Sequence, residues 1–317
     1  MKKINISILI IASISITLFS LLFGPSFINP FSLDDISGKI LFQLRLPRVV
    51  TSFLIGSSLG ASGAILQGIL RNPLADPYIL GISSGSALFA AASLMAGSAF
   101  LGPSTTALLA FSGALITCGI VGALGYKDGI LLPERLLLAG IGLGFLFTAV
   151  LMLFMSLSTN YGMRRALLWI FGDLSMADWS QIPWGVLLIS AGLILSISRA
   201  KGLNALMLGD EIAHSLGFSP SWERLVFFTS VSLMTATSVA LGGVIGFIGL
   251  LIPHIVRFLT GSDAKTLIPL SALLGAGLLT LADTIGRTVI APSELPSGVV
   301  TSLIGAPYFL YLLRKKI

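Results

Sequence analysis

The chain has 317 residues, 55% of them hydrophobic and 10% charged, with a mean hydropathy of +0.99 and a formal net charge of +6. A soluble domain carries about 25% charged residues, so the composition excludes an ordinary soluble enzyme and predicts an all-α polytopic membrane protein, a single transmembrane domain over 1–317. The basic residues are scattered through short loops, which argues against a nucleic-acid surface; the lone cysteine, Cys118, excludes an intrachain disulfide and argues against a thiolate metal site.

Ten apolar stretches follow along the chain, at about 5–24, 48–70, 79–101, 105–125, 136–157, 182–198, 225–241, 244–258, 267–286 and 297–313. The first, "MKKINISILIIASISITLFSLLF", begins like a signal peptide but has no small-x-small cleavage site. Its apolar run is long enough for a span of ~20 residues, and it reads as a retained first helix.

Next comes "QLRLPRVV", in which Arg45 and Arg48 stand at the mouth of an apolar run with no acid nearby in sequence. Within that run, Gly56 and Gly60 have small-xxx-small spacing, with Ser57, Ser62 and Gly63 close by. Such a helix approaches its neighbours closely, which predicts a central place in the bundle. Asn72-Pro73 and Asp76-Pro77 in "QGILRNPLADPYILG" are turn signals where this helix ends and the next begins.

The longest loop, about 199–224, predicts two short helices. One, over about 203–208, presents Leu203, Leu206 and Met207. Gly209 interrupts it, Asp210 suits an N-cap, and Glu211 to Leu216 continues with Ile212 and Leu216 on one face. Gly217 fits the residue after the helix. Two acids and few basic residues suit an anionic leaflet poorly, which points to a protein partner instead.

The stretch from Leu225 to Val256 would measure ~48 Å as one helix against a ~30 Å hydrocarbon core. Gly242-Gly243 in its middle predicts a reversal between two spans. Ten spans put both termini on one side. With that side cytoplasmic, thirteen of the 19 basic residues fall inside and six (Lys39, Arg45, Arg48, Arg164, Arg165, Arg287) outside, as the positive-inside rule requires. Arg45, Arg48 and Arg287 remain as outer cations at span ends. They are either snorkelling anchors or a docking surface for an acidic partner.

No phosphate loop, HExxH or nucleophile elbow occurs, and neither His214 nor His254 has a catalytic neighbour in sequence. Membrane carboxylates are scarce, Asp283 being the one near a span end, which argues against a proton- or sodium-coupled secondary carrier. An intramembrane enzyme lacks a recognisable catalytic set.

Seven motifs in order, "LRLPRVV", "QGILRNPLADPYILGISSG", "RLLLAGIGLG", "GLNALMLGDEIAHSLG", "GGVIGFIGLLIPHIVR", "LADTIGR" and "ELPSGVVTSLIGAPYFLYLLRK", resemble the FecCD-type permeases, the membrane subunits of type II ABC importers for iron chelates, haem and cobalamin. The resemblance covers nearly the whole chain. It implies ten helices per subunit, a homodimer in the lipid bilayer of a prokaryotic plasma (inner) membrane, two cytoplasmic ATPase subunits and one external solute-binding protein. No cofactor is expected on this chain; ATP and Mg belong to the partner subunits. Arg45, Arg48 and Arg287 match the outer arginines that receive glutamates of the binding protein. Residues 203–217 match the helices that seat in the ATPases. Leu132-Pro133-Glu134 matches the cytoplasmic gate region of the family's cobalamin permease, where small hydroxyl residues sit, so Pro133 and Glu134 imply a gate whose position carries over but whose chemistry differs. The implied cargo is a large metal chelate, a ferric siderophore being the broadest class in the family, with cobalamin and haem as the alternatives.

Overall fold

The structure, a computed structural model, describes residues 6–25, 28, 34–95, 104–157 and 160–316. Lys2, Lys3 and the expected end of the third span at 96–101 lie outside the described residues, as do the side chains of Lys315 and Lys316.

The helices run α1 (Ile6–Leu22), α2 (Asp35–Lys39), a π-helical turn (Ile40–Arg45), α3 (Leu46–Ile69), a 3-10 turn (Pro77–Leu80), α4 (Ile82–Met95), α5 (Thr105–Gly125), α6 (Pro133–Leu157), α7 (Asn160–Ile170), α8 (Ile182–Ser198), α9 (Ala200–Leu208), α10 (Asp210–Ser215), α11 (Pro220–Gly242), α12 (Ile248–Thr260), α13 (Ala264–Thr288) and α14 (Ser297–Lys316). Each expected span has a helix at its place. The segment Asp35–Ile69 and helices α5, α6, α11 and α13 are each long and apolar enough to cross a membrane, while α8 and α9 form a bent pair with a 59° break.

Helix α3 is the axis of the bundle. Nearly all of it is buried, because its glycines admit neighbouring backbones. A Cβ on Gly56 or Gly60 would collide with the carbonyls of Gly275 and Ser271 on α13, and one on Gly63 with the carbonyl of Gly249 on α12. Helix α1 lies along the far side of α13, where Ser13 Oγ donates to the Leu273 carbonyl at 3.0 Å and replaces the side chain absent from Gly277.

The helix entering α3 is widened for an identifiable reason. Pro47 has no N–H and its ring crowds the preceding turn, and the turn before it is π-helical, with the Leu46 N–H reaching Leu41 O. In that register Pro47 leaves the Phe42 carbonyl without its backbone donor. The indole Nε1 of Trp179 donates to it instead, at 3.0 Å.

Three features differ from expectation. The span at 244–258 is a shorter helix, Ile248–Thr260, preceded by non-helical backbone. Its 13 residues reach only ~20 Å. The reversal itself falls as expected, with α11 ending at Gly242 and Gly243 at φ 73°. A helix over 160–170, α7, packs against α4 where only a loop was expected. A two-strand hairpin, β1 (Tyr126–Lys127) and β2 (Ile130–Leu131), turns at Asp128 and Gly129, both at positive φ, as a two-residue hairpin turn requires.

Candidate functional site at the two ends of the third helix

At the N-terminal end of α3 the structure brings Arg45, Arg48 and Arg287 into one cluster, but none stands free. Arg48 forks onto Asp283, with Nε at 2.9 and 3.0 Å from the two carboxylate oxygens and Nη2 at 2.9 Å from Oδ1. Its Nη1 reaches Glu294 Oε2 at 2.7 Å. Ser297 Oγ donates to Asp283 as well, at 2.9 Å. Arg45 Nη1 donates to the carbonyls of Leu21 and Leu22 at 3.3 and 2.8 Å, and Arg287 Nη2 donates to the Ser20 carbonyl. Both cations therefore sit on the C-terminus of α1, where the helix dipole is negative. Gly24 leaves room for Arg45, since a Cβ there would lie 2.7 Å from Nη2 and the guanidinium would have to shift.

Arg48, which has no acid nearby in sequence, takes its acids from 235 and 246 residues away. The three arginines are 5%, 8% and 3% exposed, too buried to extend into solvent as they stand. The cluster nonetheless holds three cations against two carboxylates, and the Nε of Arg287 is buried without a partner among the described residues.

The opposite end of α3 carries the α9–α10 pair. From Arg48 to Gly68 is 20 residues, ~30 Å along the helix axis and equal to the hydrocarbon thickness. Leu203 seats on Gly68, where a Cβ would lie 2.7 Å from Leu203 Cδ1. Leu203 and Leu206 are 0% and 1% exposed. They face the bundle core, correcting the expectation that they are presented outward. Met207 is half-buried; Leu208, Glu211, Ile212, Leu216 and Gly217 are exposed, so the outward apolar surface belongs to Leu208, Ile212 and Leu216. The cap of α10 is Gly209, at φ 122°, whereas Asp210 is the first helical residue; its carboxylate turns to Arg224 and Arg71 instead of capping.

Anchors hold α9 to the spans. Asn204 Nδ2 donates to Asp263 Oδ1 at 2.8 Å, and Asn204 Oδ1 accepts from the Ala264 N–H at 2.9 Å. The Asn204 amide, with the Lys265 N–H, holds the exposed Asp263 carboxyl below its usual value. Arg199 Nη1 lies 3.3 Å from Glu223 Oε1.

Asn72 closes a turn by accepting from the Leu74 N–H at 3.0 Å, with Pro73 exposed inside it. Pro133 is buried at the first position of α6 and Glu134 is exposed beside it, following the hairpin. Sequence reading passed over Gln67. Its Nε2 donates to the carbonyls of Ala75, Gly249 and Leu250 at 3.2, 3.1 and 3.4 Å, and its Oε1 accepts from Arg257 Nη1 at 2.5 Å. Tyr78 Oη accepts from the Ile245 N–H at 3.1 Å. Together these two residues satisfy backbone around the short helix α12, as non-helical chain at membrane depth demands. One polar amide in an otherwise apolar helix end was the available signal.

The glycine-lined central helix, the short broken span and the bent helix pair belong to an α-helical bundle with several helices long and apolar enough to cross a membrane. The chain matches the FecCD transport family over residues 6–315 and belongs to it. It is 40% identical over 286 residues to the iron(3+)-hydroxamate import system permease FhuG of Bacillus subtilis (87% of this chain, 84% of that one). It is 41% identical over 291 residues to the hemin transport system permease HmuU of Yersinia pestis (90% and 86%). With the vitamin B12 import system permease BtuC of Salmonella paratyphi A it shares 37% over 313 residues (98% and 94%). A solved metal-chelate type ABC transporter superposes with a TM-score of 0.83 at 33% identity, covering 97% of both chains.

Proposed function

We propose that this chain is the permease subunit of a binding-protein-dependent importer that passes a large iron chelate, a ferric siderophore, into the cytoplasm by ATP-driven alternating access. One observation carries the reading: an arginine cluster with excess positive charge and a helix pair with an exposed apolar face lie at opposite ends of one membrane-length helix. The permease works as a homodimer in the plasma (inner) membrane with both termini cytoplasmic, one external binding protein and two ATPase subunits, which hold ATP and Mg. Acidic residues of the binding protein meet Arg45, Arg48 and Arg287, guided by complementary charge. The face of Met207, Leu208, Ile212 and Leu216 seats in the ATPases, and the turn at Pro133-Glu134 lies at the inner gate. The similarity to a hydroxamate permease supports the cargo class; haem and cobalamin are the alternatives that the other relatives supply.

The test is reconstitution. The purified permease should retain the ATPase subunits, and ATP hydrolysis should rise when the binding protein loaded with a ferric hydroxamate is added. Stimulation only by haem- or cobalamin-loaded protein would move the cargo to that class. Uptake driven by an ion gradient without any ATPase would overturn the reading in favour of a stand-alone carrier.

A further inference from the structure

Near its start α11 carries two consecutive ionisable residues that are both buried, Glu223 and Arg224, each 2% exposed. Neighbouring positions on a helix point about 100° apart, so the two reach different elements. Glu223 meets Arg199, where α8 bends into α9, and its Oε2 fills the space a side chain on Gly202 would need. Arg224 Nη2 donates to Asp210 Oδ1 on α10. The same Asp210 oxygen lies 3.7 Å from Arg71 Nη2, just beyond the end of α3.

The environment of Arg224 makes this contact consequential. Its Nε and Nη1 are buried and have no partner among the described residues. Asp210 is then its only paired carboxylate among them. Helix α10 has few other attachments. It is joined to α9 through Gly209, at a φ of 122° that L side chains rarely adopt, and its inward contact is the small side chain of Ala213, 0% exposed. Without Asp210, α10 would be a short helix on a glycine hinge.

We propose that Asp210 is a positioning residue that clasps α10 to the starts and ends of two central spans, so that force received by α10 moves α11 and the end of α3 together. Its carboxylate, on a side chain 42% exposed, turns to Arg224 and Arg71 and does not serve as a contact for the ATPase. This rests on the reading of α9–α10 as the ATPase-binding element. The clasp assigns a division of labour within that element: Leu208, Ile212 and Leu216 receive the motor, Leu203 and Leu206 root α9 in the core, and Asp210 locks the outer helix to the load. A charge-assisted bond to a buried guanidinium is suited to that lock, because it is directional and short-ranged.

The experiment uses the permease–ATPase complex in nanodiscs, with Cys118→Ser as background and spin labels at Ser215→Cys, exposed at the end of α10 and outside the motor-receiving face, and Ser221→Cys. The parent should give one narrow α10–α11 distance with and without ATP and vanadate. Asp210→Asn should keep the ATPase subunits bound but lose the single distance, giving a broad distribution; Asp210→Glu should restore it, and Lys201→Gln, on the exposed face of α9, should leave it narrow. Should Asp210→Asn destabilise the chain, Arg71→Gln, at a half-exposed position, provides the second arm and should broaden the distance in the same direction. A narrow distance in Asp210→Asn, or in Arg71→Gln where that arm is used, overturns the clasp. Loss of the ATPase subunits in Asp210→Asn also overturns it, by making Asp210 a docking residue, while leaving the proposed function standing. A parent chain that never holds the ATPase refutes the proposed function itself.

Discussion

Arg48 shows how differently two carboxylates bound to one guanidinium can matter. Asp283 has a side chain 1% exposed, whereas Glu294 is 39% exposed. Removing one partner of a buried pair costs about 3–5 kcal/mol, since the other charge is left uncompensated; breaking an exposed pair costs about 0–1 kcal/mol. Asp283→Ala should therefore lower the thermal midpoint of the detergent-solubilised protein sharply, and Glu294→Ala barely. Glu294 also occupies the Nη1 that an incoming acidic partner would need. Glu294→Gln should thus tighten binding-protein association by about fivefold, equivalent to ~1 kcal/mol, in a titration at low salt; weaker association would contradict the docking reading of Arg48. The arginines were legible as violations of the positive-inside pattern, and Asp283 as an isolated acid. Their union was not, because no local pattern relates residues 235 positions apart.

At the scale of elements, the glycines of α3 and α5 make opposite predictions. Gly60→Ala drives a methyl group into the Ser271 carbonyl, so it should destabilise by about 1–3 kcal/mol, as overpacking does. Gly119 on α5 has open space around its missing Cβ, and Gly119→Ala should gain about 0.5–1 kcal/mol from helix propensity; melting of the two variants side by side checks both. The anchor between α9 and α13 adds a pH dependence. A carboxyl depressed by folding stabilises above its unfolded value of about 3.9 and loses that contribution as pH falls through the lower folded value. The Asp263–Asn204 contact should accordingly survive to mild acid, read as a constant difference in midpoint between the parent and Asp263→Asn down to about pH 5. Sequence spacing identified α3 as central because small residues at four-residue intervals have a direct steric meaning. It misjudged α9 because periodicity reveals which face is apolar and not what covers it, so Leu203 and Leu206 were assigned to a partner when the bundle itself buries them. The hairpin at Asp128-Gly129 was readable from its Asp-Gly pair and was missed, since four strand residues are too few for a periodic signal. The non-helical approach to α12 depends on donors and acceptors from Gln67 and Tyr78, which lie far away in sequence.

For the whole molecule, the arrangement along α3 fixes which surfaces share a side of the membrane. Labelling of single-cysteine variants in sealed vesicles should find Lys39→Cys reactive from one side and Glu211→Cys from the other, with little background because Cys118 is buried. Reactivity of both from the same side would dismantle the scheme of external docking and internal drive. The class of molecule was evident from composition and hydropathy, and each expected span has a helix at its place, although α7 was not foreseen. Cargo was not, since relatives named for hydroxamate, hemin and vitamin B12 transport lie at 37–41% identity.

The three glycine contacts of α3 carry one last implication. Where carbonyls of α12 and α13 rest directly on its main chain, no layer of rotatable side chains lies between them to absorb strain. These three rods form a stiff keel. Shape change in this permease is thereby displaced to places such as the uncoiled stretch at 243–247, and a cross-link that immobilises it should freeze the transporter while leaving the keel untouched.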